Sequence, residues 1–163
     1  AEWVAMSAVE NEAILKKLQE YSFSDDRKLA FRASWTLSKV FDKYPGLINQ
    51  SLTKMIETLD SVDNESVRRS FLRMVSLSEI DKLSQKHHGI LADCCFRYLL
   101  SADSAIAIKA YSMEIIYKLA VIYPELAKEL SSAISMLDED APAGVTARGR
   151  MILKKLAGLT KDH

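Results

Sequence analysis

Asp26-Arg27-Lys28-Leu29-Ala30-Phe31-Arg32-Ala33 is the stretch on which the reading of this chain turns, because its frame returns. An aspartate stands six residues ahead of a base, and a small residue follows the base directly. Asp63-Asn64-Glu65-Ser66-Val67-Arg68-Arg69-Ser70 and Asp103-Ser104-Ala105-Ile106-Ala107-Ile108-Lys109-Ala110 repeat it. Arg148-Gly149 makes a fourth copy in which Pro142 holds the aspartate's place, with Asp140 two residues earlier. The bases Arg32, Arg69, Lys109 and Arg148 are therefore 37, 40 and 39 residues apart. A near-constant step of this size predicts stacked helical units, each burying its apolar face only against its neighbours.

Composition supports helices. Five glycines and three prolines in 163 residues leave few breakers, and the 48% hydrophobic content is enough for a real core. The expected fold class is all-α, with helices near 8–21, 26–43, 45–59, 64–78, 86–101, 104–122, 124–137 and 142–158. Tyr44-Pro45-Gly46-Leu47 and Tyr123-Pro124-Glu125-Leu126 place a proline at the first turn of a leading helix, where it sacrifices no hydrogen bond. Asp25-Asp26, Asp60 to Asn64, Ser101 to Asp103 and Asp138-Glu139-Asp140 supply caps for the trailing helices and meet the positive end of the helix dipole.

Within the trailing helices a core stripe is expected at about 100° per residue. Ala33, Leu37, Val40 and Tyr44 share it, as do Ser70, Met74 and Leu77, and Gly149, Ile152, Leu153 and Leu156. Counted from Lys109, the third copy reads Ala110, Met113 and Tyr117, and it drops Glu114 where Leu37 and Met74 stand. A carboxylate on an apolar stripe would be a candidate acid or base.

Helix, aspartate turn and a second helix carrying a base beside a small residue together resemble the HEAT repeat, one of the armadillo-like α-solenoids. The resemblance implies a short right-handed α-α superhelix of about four hairpins, near 8–44, 45–80, 86–123 and 124–159, forming one repeat domain over 1–163. It also implies that trailing helices line a concave side, that the repeated aspartate and base are mostly structural, and that the molecule is a non-catalytic binding module or scaffold. HEAT-like DNA glycosylases of the alkylation-repair type supply the alternative, a nucleic-acid binder. Their catalytic aspartate and tryptophan match no motif here.

Charge separates the two helix layers. The trailing stretches with their capping aspartates, 26–43, 63–77, 103–122 and 142–158, hold fourteen Lys or Arg against six Asp or Glu, and because the whole chain holds 22 of each, the remainder is acidic. The implied concave wall is then basic and suits an acidic protein segment, with nucleic acid as the alternative partner. Phe31 and Trp35, one turn apart, lie on the far side of their helix from its core stripe. The equivalent places in later copies include Arg68, Leu72 and Met151. The expected partner-binding set is Phe31, Trp35, Arg68, Arg69, Leu72, Lys109, Arg150, Met151 and Lys154, with the apolar members as anchors and the bases as guides. The last helix is acid-free from 142 to 158 and carries Arg148, Arg150, Lys154 and Lys155.

Other chemistries find no pattern. His87, His88, Cys94 and Cys95 are ligand types, yet each His is seven residues from its Cys, about 10 Å along a helix, whereas zinc ligands converge within about 2.3 Å of the ion. The adjacent cysteines pack better as buried thiols and fit a reducing compartment. No phosphate-cradling glycine loop or nucleophile signature is present. The expectations are therefore no enzyme activity, no cofactor, no metal and no small-molecule substrate. Asp93, Arg97 and Asp103 break the most apolar stretch, Ile90 to Ile108, so no membrane span is expected. Ala1 to Leu18 lacks the basic-then-apolar form of a signal peptide, and a cytoplasmic location is expected.

Overall fold

Asp26 is extended and its carboxylate accepts hydrogen bonds from the backbone N–H groups of Lys28 and Leu29 (3.0 and 3.1 Å), which starts the trailing helix the aspartate turn predicts. The computed structural model describes residues 2–137 and 139–161; Asp138, expected in the last capping turn, lies outside them. Among the described residues there are helices and no strand. They are α1 (Glu2–Glu10), α2 (Glu12–Ser22), α3 (Arg27–Lys43), α4 (Asn49–Thr58), α5 (Glu65–Ser76), α6 (Gln85–Leu100), α7 (Ile106–Ile122), α8 (Glu125–Ser135) and α9 (Ala143–Lys161). Short 3-10 turns at Pro45–Leu47 and Ile80–Lys82 precede α4 and α6. The expected helices are present, with one departure at the start: the first was expected at 8–21, whereas α1 already occupies Glu2–Glu10, and Asn11 leaves helical geometry, accepts from Ala13 N–H at 3.0 Å and caps a separate α2.

The chain forms two compact units that divide between Ser78 and Glu79, two residues before the end expected for the second repeat. In the first unit α2 packs on α3, α1 also lies on α3, and α3 packs on α5. Asn64 Nδ2 donates to Arg27 O (3.1 Å) at one end of the α3/α5 pair, and Arg73 Nη1 donates to Ser38 Oγ (2.8 Å) near the other. The two trailing helices thus run side by side in the same direction, 35 to 37 residues out of step. Leu37, Val40, Phe41, Val67, Phe71, Leu72, Met74 and Val75 close the core between these helices and α4.

In the second unit α6 pairs with α7, α8 touches α7 and α9, and α7 lies along α9. Gly144 comes within reach of Ile106, Arg148 meets Glu114, and Lys155 sits over Tyr117, so these trailing helices are parallel as well. A close approach sets their neighbour: a Cβ on Gly149 would stand 3.0 Å from Ile134 Cγ2 of α8.

Burial corrects the register of the third copy. Ala33, Ser34, Leu37, Val40 and Phe41 in α3 correspond to Ser112, Met113, Ile116, Leu119 and Ala120 in α7, all buried, when the two helices are offset by 79 residues, the spacing of Tyr44 from Tyr123. The small residue of this copy is therefore Ser112, fully buried, and Lys109 stands opposite Ala30 instead of Arg32. The cause is the longer connection before α7, where Ala105 and not Asp103 is the cap residue. Two other stripe positions fall outside the core: Tyr44 and Leu77 are exposed, at the points where their helices end.

Candidate functional site

On α3 the exposed Lys28, Phe31, Arg32, Trp35, Lys39 and Asp42 form one stripe at helical spacing opposite the buried Ala33, Leu37 and Val40, with Arg27 and Lys43 exposed at the helix ends. Phe31 and Trp35 remain 42% and 45% exposed although both are large and apolar. Lys39 Nζ lies over the Trp35 ring, 4.5 Å from its centre, a cation–π arrangement. Asp42, at the end of the stripe, pairs with Arg73 at 2.9 Å. Arg32 and Arg69 make no ion pair with a described residue, so the structural role that the resemblance implies for the repeated base is not carried by an ion pair at these two positions.

The equivalent stripe in the second unit is chemically different. Glu114 takes the place of Trp35 and Lys118 that of Lys39 at the 79-residue offset. Arg148 Nη1 meets Glu114 Oε1 at 2.7 Å, and Lys155 Nζ lies 3.7 Å from the same oxygen and 5.2 Å from the Tyr117 ring centre. Glu114 is thus a surface-edge ion-pair partner, not a carboxylate stranded in the core. The Lys118 ammonium is held below its ordinary range chiefly by burial; Glu114 opposes this and Lys155 adds to it.

A profile of the HEAT repeat domain matches residues 3–156. The chain belongs to the HEAT repeat family. No curated protein and no solved structure matches it. HEAT repeat domains are helical-repeat scaffolds that mediate interactions and are typically non-catalytic. Among the described residues no helix is long and apolar enough to cross a membrane.

The sites expected in this HEAT repeat chain do not form one track. Phe31, Trp35 and Arg69 share the solvent-facing side of α3 and α5. Leu72 does not: it is fully buried, because α5 is enclosed around most of its circumference, and it can offer nothing to a partner. Arg68 is committed inward, its guanidinium donating to Leu59 O and Val62 O at the end of α4. In the second unit Met151 is 52% exposed on α9, with Lys154 about 60° and Arg150 about 100° around the helix from it. Lys109 is half-buried and belongs to neither stripe. Trp3 and Met6 were missed: both are exposed on α1, which buries Ala5 and Ala8 and packs on α3. Their signal was available in the sequence, since an apolar pair three residues apart lies off the alanine stripe.

His87 and His88 do not come together with Cys94 or Cys95 in a metal-ligating group among the described residues. His88 Nε2 donates to Ile80 O at 2.6 Å while its Nδ1 lies 2.9 Å from the Tyr123 hydroxyl; His87 Nδ1 lies 2.6 Å from Ser84 Oγ. Cys94 and Cys95 are buried and joined in no disulfide, and burial, reinforced by the neighbouring Cys94 thiol, pushes the Cys95 thiol far above its ordinary range. A chromogenic disulfide reagent is therefore expected to leave both thiols essentially unreacted in the folded protein within minutes and to titrate two per chain in concentrated guanidinium. Rapid native reaction would show that α6 is not closed over them.

Proposed function

We propose that this HEAT repeat chain is a non-catalytic binding module that recognises an acidic protein segment on the α3 side of its first unit. The observation that carries the reading is Trp35: a large ring left 45% exposed, one turn from Phe31, on a stripe whose bases Lys28, Arg32 and Lys39 make no ion pair with a described residue and whose one carboxylate, Asp42, is already paired. Keeping apolar area in water is unfavourable by about 25 cal/mol per Å², so covering these rings supplies affinity. The bases, joined by Arg69 on α5, raise the encounter rate and orient an acidic partner. Arg150, Met151 and Lys154 offer a smaller basic and apolar patch on α9 of the second unit, and Arg148 is held there by Glu114.

The test uses a Trp3→Phe background, so that emission reports Trp35, and a peptide of Glu residues flanking two Phe residues one helical turn apart. Binding is expected to shift the emission to shorter wavelength. Trp35→Ala is expected to raise Kd at least tenfold, about 1.4 kcal/mol, with little change in unfolding free energy because the side chain is exposed. Arg32→Glu with Lys39→Glu should do the same and flatten the salt dependence. Unchanged emission and equal affinity for Trp35→Ala would exclude the site. Tight retention of a single-stranded oligonucleotide, falling log-linearly and steeply with salt, together with no peptide binding, would replace the acidic peptide by nucleic acid.

A further inference from the structure

The second unit carries a trough unrelated to the trailing-helix stripes. It runs between α6 and α8, whose main packing partners are α7 in one case and α7 and α9 in the other. Two cavities make it up. One of about 510 Å³ lies against Phe96, Leu100 and Leu126, and one of about 370 Å³ against Gly89 and Leu126; Ala92 lines both and forms the waist. Gly89, Ala92, Phe96 and Leu100 follow one another at three- and four-residue steps, a single face of α6 about 17 Å long left without a covering helix. Space is open above Gly89, where a Cβ would meet nothing within 4 Å, and Leu100 is exposed. Each cavity exceeds the volume of one side chain, and the pair lies in the range of binding sites.

The rim decides what fits. Glu125 and Glu129 on α8 line the trough and make no ion pair with a described residue, while Asp93 is already taken by Arg97 at 3.0 Å. The uncompensated charge at the edge is therefore negative. The walls are helices whose backbone groups are bonded within themselves, so an extended peptide would find no sheet edge to pair with and would lose its backbone hydrogen bonds to water. A helix satisfies its own. The two cavities are centred about eight residues, or about 12 Å, apart along α6, which matches side chains two turns apart on a second helix.

We infer that the α6/α8 trough docks a short basic amphipathic helix, with large apolar residues at i and i+7 seated in the two cavities and Lys or Arg facing Glu125 and Glu129. This partner is opposite in charge to the one proposed for α3, and the two surfaces lie in different units. The probe is a fluorescein-labelled helical peptide of Lys and Ala with two Leu seven residues apart, titrated against the full chain by anisotropy. Saturable binding is expected to weaken tenfold or more when both Leu become Ser, when Ala92→Trp fills the waist, and when Glu125→Lys and Glu129→Lys reverse the rim. Trp35→Ala should leave this binding unchanged, which separates it from the α3 site. The two glutamates are exposed, so their exchange tests the rim even where Ala92→Trp disturbs packing. Absence of saturable binding, or affinity indifferent to the Leu and rim changes, would overturn the inference.

Discussion

Phe71→Ala is expected to lower the free energy of unfolding by about 3–5 kcal/mol, the range for emptying a large aromatic site in a core. Phe71 lies mid-α5, fully buried, with its ring centre 5.4 Å from that of Phe23 at the end of α2. The rings are tilted by 47°, and Lys54 Nζ lies 4.3 Å from the Phe23 centre. Val67, Met74 and Val75 on the same helix are equally enclosed, so the walls are helix backbones that cannot move in to fill the gap. Because a typical domain is stable by only about 5–15 kcal/mol, the loss is a large fraction of the total. Urea unfolding followed by circular dichroism measures it. A change under about 1 kcal/mol would mean that the ring is not enclosed as described.

Gly149→Leu is the second large effect, an expected loss of about 1–3 kcal/mol from overpacking. A glycine inside a helix ordinarily weakens it by about 1 kcal/mol relative to alanine, so substitution at an open position should help. Position 149 is not open: its Cβ would lie 3.0 Å from Ile134 Cγ2 and 3.9 Å from Leu137 Cδ1, where α8 and α9 pack. Gly158→Leu, in the same helix with nothing within 4 Å of its Cβ, is the control and should be neutral or stabilising. Equal midpoints for the two variants in the same urea titration would refute a close α8/α9 crossing at this residue.

Helix positions and the small-residue frame could be read from the chain because they rest on local chemistry. Asp26 caps where a capping residue was expected, and Ala33, Ser70 and Gly149 are buried as the frame requires. The third copy was misread because it was counted from a base, a surface feature free to drift, when the Tyr-Pro pair at its end keeps the true phase. That choice put Glu114 into a core it does not enter and made Lys109 an equivalent of Arg32. Leu72 failed for another reason. A helical wheel gives it the position of Trp35, but whether a flank is covered depends on what packs there, and no periodicity within one helix reports it. The apolar trough of the second unit was equally hidden, since nothing in the spacing of Phe96 and Leu100 along α6 reports how α8 packs beside them.

Trp35 and Glu114 occupy the same rung of two copies of one plan. The interior residues around each rung are buried alike, whereas the outward ones have become an indole under an ammonium in one case and a carboxylate clamped by two cations in the other. Duplication has therefore decoupled what keeps the protein folded from what it displays. A chain built this way can acquire or discard an affinity by changing a few outward side chains, without renegotiating its architecture.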